Sequence, residues 1–351
     1  MYIVIFFAAV FIGILSFGSI RQYTAAKIFL VFLLAIFAGT RAEGIDNDYF
    51  EYARLFLLYE DFSLEGLAEK EISFFLIPGI GSFFFSNQGI VYFSFLTFAF
   101  LAIALKLRAF SREHFFLNLS LYCSYWFFTQ DMTTIRAGVA CGIFMLAISD
   151  LYKEKYNAYL FKVILALLFH YSSILFLITY FLLRFRVKLM YYYLMLCVSF
   201  GVVVLKMNVL TLLGLNVVFP KVQIYLDLLE KVDGEPVNIF NFRILLSIVI
   251  TILFWLKFTI LKDNKMFMIL FKIHILSLVV FFMLSPTAMV FSLRTYDMLS
   301  VVQILLYPYI LYLVKEKFIG YLIIFAICGV NLFYVFQISG WFKDYSSWIF
   351  N

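Results

Sequence analysis

The stretch RAEGIDNDYFEY, residues 41–52, sets one arginine and two aspartates close together in a chain otherwise poor in charge. A carboxylate beside an anion-binding site can accept the proton of an attacking hydroxyl, which is general-base work. Asp46 and Asp48 stand two positions apart, so in an extended or looped backbone both could face one cavity, and Gly44 gives such a loop its freedom. A solvated acidic loop would carry the same residues. Arg41, Arg136, Arg243 and Arg294 each fall at or just inside the end of an apolar run. An ionisable group at that depth is costly unless it is paired or used, and the planar guanidinium fork matches phosphate oxygens two at a time. Four such arginines suit a phosphate or pyrophosphate carried on a lipid. Singly, each could snorkel to headgroups or pair with an acid such as Asp131 or Asp297. His170, in LLFHYSSILF, is the histidine set in an otherwise apolar tip, where it could act as base, acid or phosphate donor, or simply pack. His114 and His274 lie near basic connections and are set aside.

The elements that must hold these residues are apolar helices. Hydrophobic residues make up 65% of the 351, aromatics 21% and charged residues only 14%, too little polarity to build a water-facing surface. Runs of roughly 15–20 apolar residues recur along the chain, each about long enough to cross a bilayer as a helix. No polar domain separates them, so residues 1–351 read as a single integral membrane domain, an all-α polytopic bundle. The first run, YIVIFFAAVFIGILSFG, lacks a charged start and a small-residue cleavage site and reads as span one. Cys123, Cys141, Cys197 and Cys328 stand singly, with no CxxC spacing and no histidine pair, so they read as packing residues and not as metal ligands. The net charge of +6 comes from lysines and arginines gathered in short loops, a topological signal and not one for nucleic acid.

Basic residues favour the cytoplasmic ends of spans. The connections around Arg21/Lys27, Lys106/Arg108/Arg112, Lys153/Lys155/Lys162, Arg184/Arg186/Lys188, Lys257/Lys262/Lys265/Lys272 and Lys315/Lys317 therefore belong inside. About twelve crossings follow, near 2–18, 25–40, 88–105, 115–130, 135–151, 157–170, 172–184, 189–206, 242–261, 266–285, 296–314 and 318–338, with both termini outside. The segments 157–170 and 172–184 are short and suit a hairpin whose tip, FHYSS, dips below the outer surface. Two outer connections are long. Residues 41–87 include EISFFLIPGIGSFFFSNQG, apolar but broken by Pro78, Gly79 and Gly81, which suits a re-entrant or interfacial stretch. Residues 207–241 include Val222, Tyr225, Leu226 and Leu229 at near-helical spacing opposite Lys221, Asp227 and Glu230, the pattern of an amphipathic surface helix.

Taken in order, RAEGIDNDYFEY, then TIRAGVACGIFMLAISDLYKEKYNAYLFKVILALLFHYSSILFL, then SLRTYDML resemble the scattered signature of the EpsG-like, Wzy-type family of exopolysaccharide and O-antigen polymerases. The resemblance runs from about residue 40 to 300. It picks out Arg41, Gly44, Asp46 and Tyr49, then Arg136, then His170, then Arg294. The chain has both GID and DYFEY, so the key acid is Asp46 or Asp48. After FH it has Tyr171, where the family pattern leads one to expect proline or another small residue.

The resemblance implies a fold like the C-type membrane glycosyltransferases, with an outward-facing cavity in a bacterial plasma (inner) membrane protein, open to the periplasm or cell exterior. It implies a polymerase that moves a growing glycan from undecaprenyl pyrophosphate to the non-reducing end of another lipid-linked repeat unit. That oligosaccharide would be both donor and acceptor, with a chain-length regulator and a flippase as partners besides the bilayer. In this reading Asp46 or Asp48, or else His170, is the base, while Arg136 and Arg294, with Arg41, Arg243 and Tyr49, hold the pyrophosphate. No cofactor or metal is implied; DND at 46–48 is the nearest thing to a ligand pair. A lipid-linked oligosaccharide flippase or an O-antigen ligase would share many of these features. A membrane O-acyltransferase would want a histidine paired with an acid, and no such partner for His170 is evident in the sequence.

Overall fold

A computed structural model describes residues 1–351 except 64–65, 68–69, 213, 215–237, 287–288 and 350–351. The amphipathic helix expected around residues 221–230 lies outside the described residues. Among the described residues every named element is helical, with two isolated bridges between chain segments. The chain forms two compact units, Met1–Tyr180 with Tyr307–Asn351, and Phe181–Leu306.

The first unit contains α1 (Tyr2–Gly13), α2 (Ile20–Gly39), α3 (Tyr49–Leu57), α4 (Ser73–Ser82), α5 (Gln88–Ala109), α6 (Phe115–Ser124), α7 (Ile135–Tyr152) and α8 (Tyr156–Leu167). α9 (Phe176–Arg184) leads into the second unit, which holds α10 (Leu189–Val204), α11 (Phe242–Leu256), α12 (Lys265–Leu284) and α13 (Met289–Ser300). α14 (Lys317–Phe333) returns to the first. Local chemistry sets several of these starts. Ser19 and Gln22 close a reciprocal capping box on α2, and Asn241 and Asn264 accept from the third backbone amide of α11 and α12.

α2, α5, α7, α12 and the helical stretch Lys317–Ile338 are long and apolar enough to cross a bilayer. Among the described residues, seven further apolar helices run 10–17 residues. The dozen crossings expected from the sequence thus include several segments that are broken. Residues 115–130, expected as one span, are α-helical only to Ser124; a π-helical turn over Phe127–Thr133 follows and carries Asp131. Residues 296–314 divide among the end of α13, a short helix at Gln303–Leu306 and a 3-10 turn at Tyr307–Tyr312, where Pro308 has no N–H to continue a ladder. α8 and α9 fold back on each other as a hairpin: the Tyr159 hydroxyl donates to the Phe176 carbonyl at 2.8 Å, and its ring stacks on Tyr180.

Lys106 departs from its expected place in a cytoplasmic basic loop. It is fully buried, in an ion pair with Asp131 that the Tyr122 hydroxyl also joins. Counting charge near span ends assigns a lysine to the loop it borders, but here the ammonium turns inward to the one carboxylate on the π-helical turn. The same carboxylate explains a glycine. A Cβ at Gly138 would stand 2.6 Å from Asp131 Oδ1 and 2.9 Å from the Gln130 carbonyl oxygen, so α7 can approach the break only without a side chain there.

Removing one partner of a buried pair leaves a charge with no compensation, which costs about 3–5 kcal/mol. Lys106→Met and Asp131→Leu should each lower the thermal unfolding temperature in detergent. The double variant should lie above both singles.

Candidate functional site

The chemistry-bearing residues of the first unit are arranged around a layer of aromatic rings. α3 presents Tyr49, Tyr52 and Phe56 from one face, and all three are buried. Tyr49 stacks on Phe95 of α5 at 4.6 Å between ring centroids, and Phe56 meets Phe95 at 5.2 Å and Phe74 of α4 at 5.1 Å. Tyr52 stacks on Phe74 at 5.8 Å. A guanidinium lies against each end of this layer: Arg41 is 4.5 Å from the Phe95 centroid, and Arg136 is 5.3 Å from that of Phe74 and 5.4 Å from that of Tyr52.

At one end, Arg41 and Asp46 close the loop between α2 and α3. Arg41 Nε donates to Asp46 Oδ2 at 2.6 Å and its Nη1 to the Ala38 carbonyl at 2.7 Å, with both side chains shut off from solvent. Asp46 Oδ1 accepts the Asp48 backbone amide at 3.1 Å. Gly44 makes the turn possible with φ 71°. Asp48 stands half-buried at the start of α3, so the two aspartates have different surroundings: Asp46 is enclosed and paired, while Asp48 remains partly open. The Tyr49 hydroxyl is buried without a protein partner.

The segment after α14 seals this loop. The Ala42 amide donates to the Ser346 carbonyl at 3.0 Å, Lys343 to Ile45 at 3.0 Å and Trp348 to Thr40 at 3.1 Å. Isolated antiparallel bridges pair Arg41 with Ser347 and Asp46 with Phe342. Tyr345 stacks on Phe37 at 4.0 Å, and Trp348 on Tyr92 at 4.1 Å.

At the other end, a single carboxylate joins the arginine and the histidine picked out by the sequence. Arg136 Nη1, at the start of α7, donates to Glu71 Oε2 at 2.7 Å. His170 Nδ1 is 3.1 Å from Glu71 Oε1, and the Tyr171 amide donates to the same oxygen at 3.4 Å. His170 occupies an extended position between α8 and a 3-10 turn at Tyr171–Leu175, and the Leu168 carbonyl accepts from Ser73 to fix the start of α4 against this tip. The Tyr171 hydroxyl donates to the carbonyls of Leu67 and Lys70, so the residue that departs from the family pattern ties the tip to the chain preceding Glu71.

Glu71 was not among the sequence candidates. Its signal is slight: it is the last charge before an uncharged stretch that runs from Ile72 to Leu105. It lies in the connection between α3 and α4, buried to 4% side-chain exposure. Burial works to raise its carboxyl, but the His170 hydrogen bond and the Arg136 charge outweigh it and hold the group at about 2, below the usual 4.5. An ionised carboxylate only accepts, so this contact is made with the hydrogen on His170 Nδ1. Arg136 Nε is buried without a protein hydrogen-bond partner.

Arg243 and Arg294 belong to the second unit. Arg243, on α11, pairs with Asp297 of α13 and lies 5.2 Å from the Tyr296 ring. Arg294 is exposed on α13. Beneath them is a buried network that the sequence did not reveal: Gln303 donates to the Ser247 hydroxyl at 2.8 Å and to that of Tyr296 at 3.0 Å, and His274 is 3.1 Å from Thr251. Among the described residues, no three His, Cys, Asp or Glu side chains come together as metal ligands.

A chain whose described residues are helical, with five helices of span length among them, is a multi-pass membrane protein. It belongs to the EpsG family, whose sequence model matches residues 24–348 and so takes in every group described above. No curated protein and no solved structure matches the chain.

A carboxyl held low in the folded state adds stability that is complete above the unfolded value of 4.5 and is lost as the pH falls toward 2. In detergent, the unfolding temperature of the wild type should fall across that window more steeply than that of Glu71→Gln. Parallel curves would mean that the carboxylate is not ionised in this cluster.

Proposed function

We propose that this EpsG-family protein is a polysaccharide polymerase that transfers a growing glycan from undecaprenyl pyrophosphate to the non-reducing end of another lipid-linked repeat unit. Family membership supports the polymerase role. The observation that carries the site is the Glu71 carboxylate shared by Arg136 and His170. In this reading the acceptor hydroxyl gives its proton to His170 Nε2 as its oxygen bonds to the donor's anomeric carbon. The bond from that carbon to the pyrophosphate breaks, and the leaving group departs with the electron pair. Glu71 fixes the imidazole tautomer and steadies the imidazolium that forms, as the carboxylate of a histidine–acid pair does. Arg136, with Tyr52 beside it, receives the charge that builds on the departing phosphate.

The base is therefore assigned to His170 and not to Asp46, whose oxygens are occupied by Arg41 and the Asp48 amide. Arg41, Asp46 and Gly44 shape the wall, with Tyr49 and Asp48 facing the acceptor. Arg243 and Arg294, in the second unit, are candidates from the sequence alone. The site opens to the periplasm or cell exterior of the bacterial plasma membrane. A membrane O-acyltransferase would also use a histidine–acid pair, and the pair is present here. The adjoining arginine, matched to phosphate and not to a thioester, favours the lipid-phosphate substrate.

The test is surface-glycan length on a gel from cells lacking this gene, complemented with wild type or with Glu71→Gln, His170→Ala, Arg136→Ala, Asp48→Asn or Arg294→Ala, at matched membrane levels. Removing the base should cost about 10²–10⁴-fold in transfer and removing the arginine about 10²–10³-fold, enough to abolish the ladder while single repeat units are still displayed. Loss of all surface glycan would point to a flippase or ligase. Unchanged ladders for Glu71→Gln and His170→Ala would overturn the site.

A further inference from the structure

α4 is too short to cross a bilayer, yet it is built for one. From Ile72 to Leu105 the chain carries no charged residue. One face of α4, formed by Phe74, Phe75, Ile77, Pro78 and Gly81, is buried in the first unit. The other is an apolar stripe at helical spacing, Leu76, Ile80 and then Phe83, exposed by 56%, 52% and 84%, with Phe84 beside it at 74%. An uninterrupted stripe of this kind facing water would be an exposed apolar patch, whereas acyl chains cover it at no cost in desolvated charge.

The direction of α4 fixes what it flanks. Phe74 lies 5.7 Å from Phe98, while at the far end a Cβ on Gly81 would stand 2.7 Å from the Phe93 ring and Phe85 lies 5.8 Å from Phe93. α4 and α5 are therefore antiparallel and meet at the tip 83–87. α5 has 22 residues, about 33 Å, which matches the roughly 30 Å of a hydrocarbon core, and Arg108 stands at its basic end. With α5 spanning the core, the tip lies at the membrane surface. Glu71 and Phe74, near Phe98, then lie about 10–15 Å further in.

We propose that α4 is a re-entrant helix whose stripe Leu76, Ile80 and Phe83 faces bilayer acyl chains, and that the Arg136–Glu71–His170 cluster is recessed behind it, below the membrane surface. A lipid-borne phosphate would reach Arg136 sideways, from within its own leaflet. The placement of α4 rests only on the chain being a membrane protein. The sideways route rests on the polymerase reading as well.

The experiment places a nitroxide at Leu76→Cys, Ile80→Cys or Phe83→Cys, each on a Cys197→Ser background that removes the one exposed native thiol, in full-length protein in phosphatidylcholine nanodiscs. Collision rates with oxygen and with a water-soluble nickel chelate report depth. The expected result is oxygen-favoured collision at all three sites and a monotonic gradient, deepest at 76 and shallowest at 83, spanning about 10 Å. Chelate-favoured collision at all three would place α4 in water and overturn the proposal. A reversed gradient would show insertion tip first and overturn the recess. Dipolar broadening between labels, with neither collider admitted, would show that a second copy of the chain covers the stripe, and would also overturn it. None of these outcomes depends on glycan synthesis, so the proposal can stand or fall apart from the polymerase reading.

Discussion

A carboxylate removed from water must be compensated on every side, and Glu71 meets that demand with donors from two distant parts of the chain. Arg136 approaches from 65 residues away and His170 from 99. Satisfying one acid thereby pins the start of α7, the tip between α8 and α9, and the start of α4 to a single point. Because α3 packs on the same Phe74 that lies under Arg136, the loop carrying Arg41 and Asp46 is set by that point too. Glu71 thus organises the first unit even though it neither spans the membrane nor belongs to a recognisable motif.

Among the described residues, buried ion pairs stand at a loop, at a helix break and between helices. Arg41 and Asp46 close the loop after α2, Lys106 and Asp131 meet at the π-helical turn before α7, and Arg243 and Asp297 join α11 to α13. Such pairs contribute little net stability over an apolar replacement of the same shape, since their attraction must first offset the loss of hydration. What they supply here is position. Apolar helices slide against one another with little preference for register, whereas a cation and an anion with fixed hydrogen-bond geometry admit one arrangement.

The class of the protein was legible from composition, and several residues of the candidate site from motifs. Arg41, Gly44, Asp46 and Tyr49 form one assembly, as residues so close in sequence tend to do, and His170 stands at the tip where the shortness of its flanking segments placed it. Glu71 was missed because a lone acid at the edge of an apolar run has no local pattern; its meaning comes from partners that only the fold supplies. Lys106 was misplaced because charge counting treats every lysine near a span end as a loop residue, and the side chain's turn toward Asp131 is a tertiary event. The break at Phe127–Thr133 has no proline or glycine to announce it, whereas Pro308 could have warned that residues 296–314 would not run as one helix. The network around His274 was invisible for the same reason as Glu71: serine, threonine, glutamine and tyrosine scattered through apolar runs look like ordinary packing until helices bring them together.

The strap formed by residues 342–348 gives the first large loop a dependence on a segment far along the chain. Thr40, Ala42 and Ile45 find their backbone partners at Trp348, Ser346 and Lys343, three hundred positions later. During synthesis those donors and acceptors must wait, with Asp46 and Arg41 already made, until α14 has been inserted and the segment after it emerges. The loop is then locked only once that segment has emerged. A ribosome stalled or terminated before this point would leave the backbone at residues 40–46 without these partners, and quality-control proteases could tell that species from the paired protein.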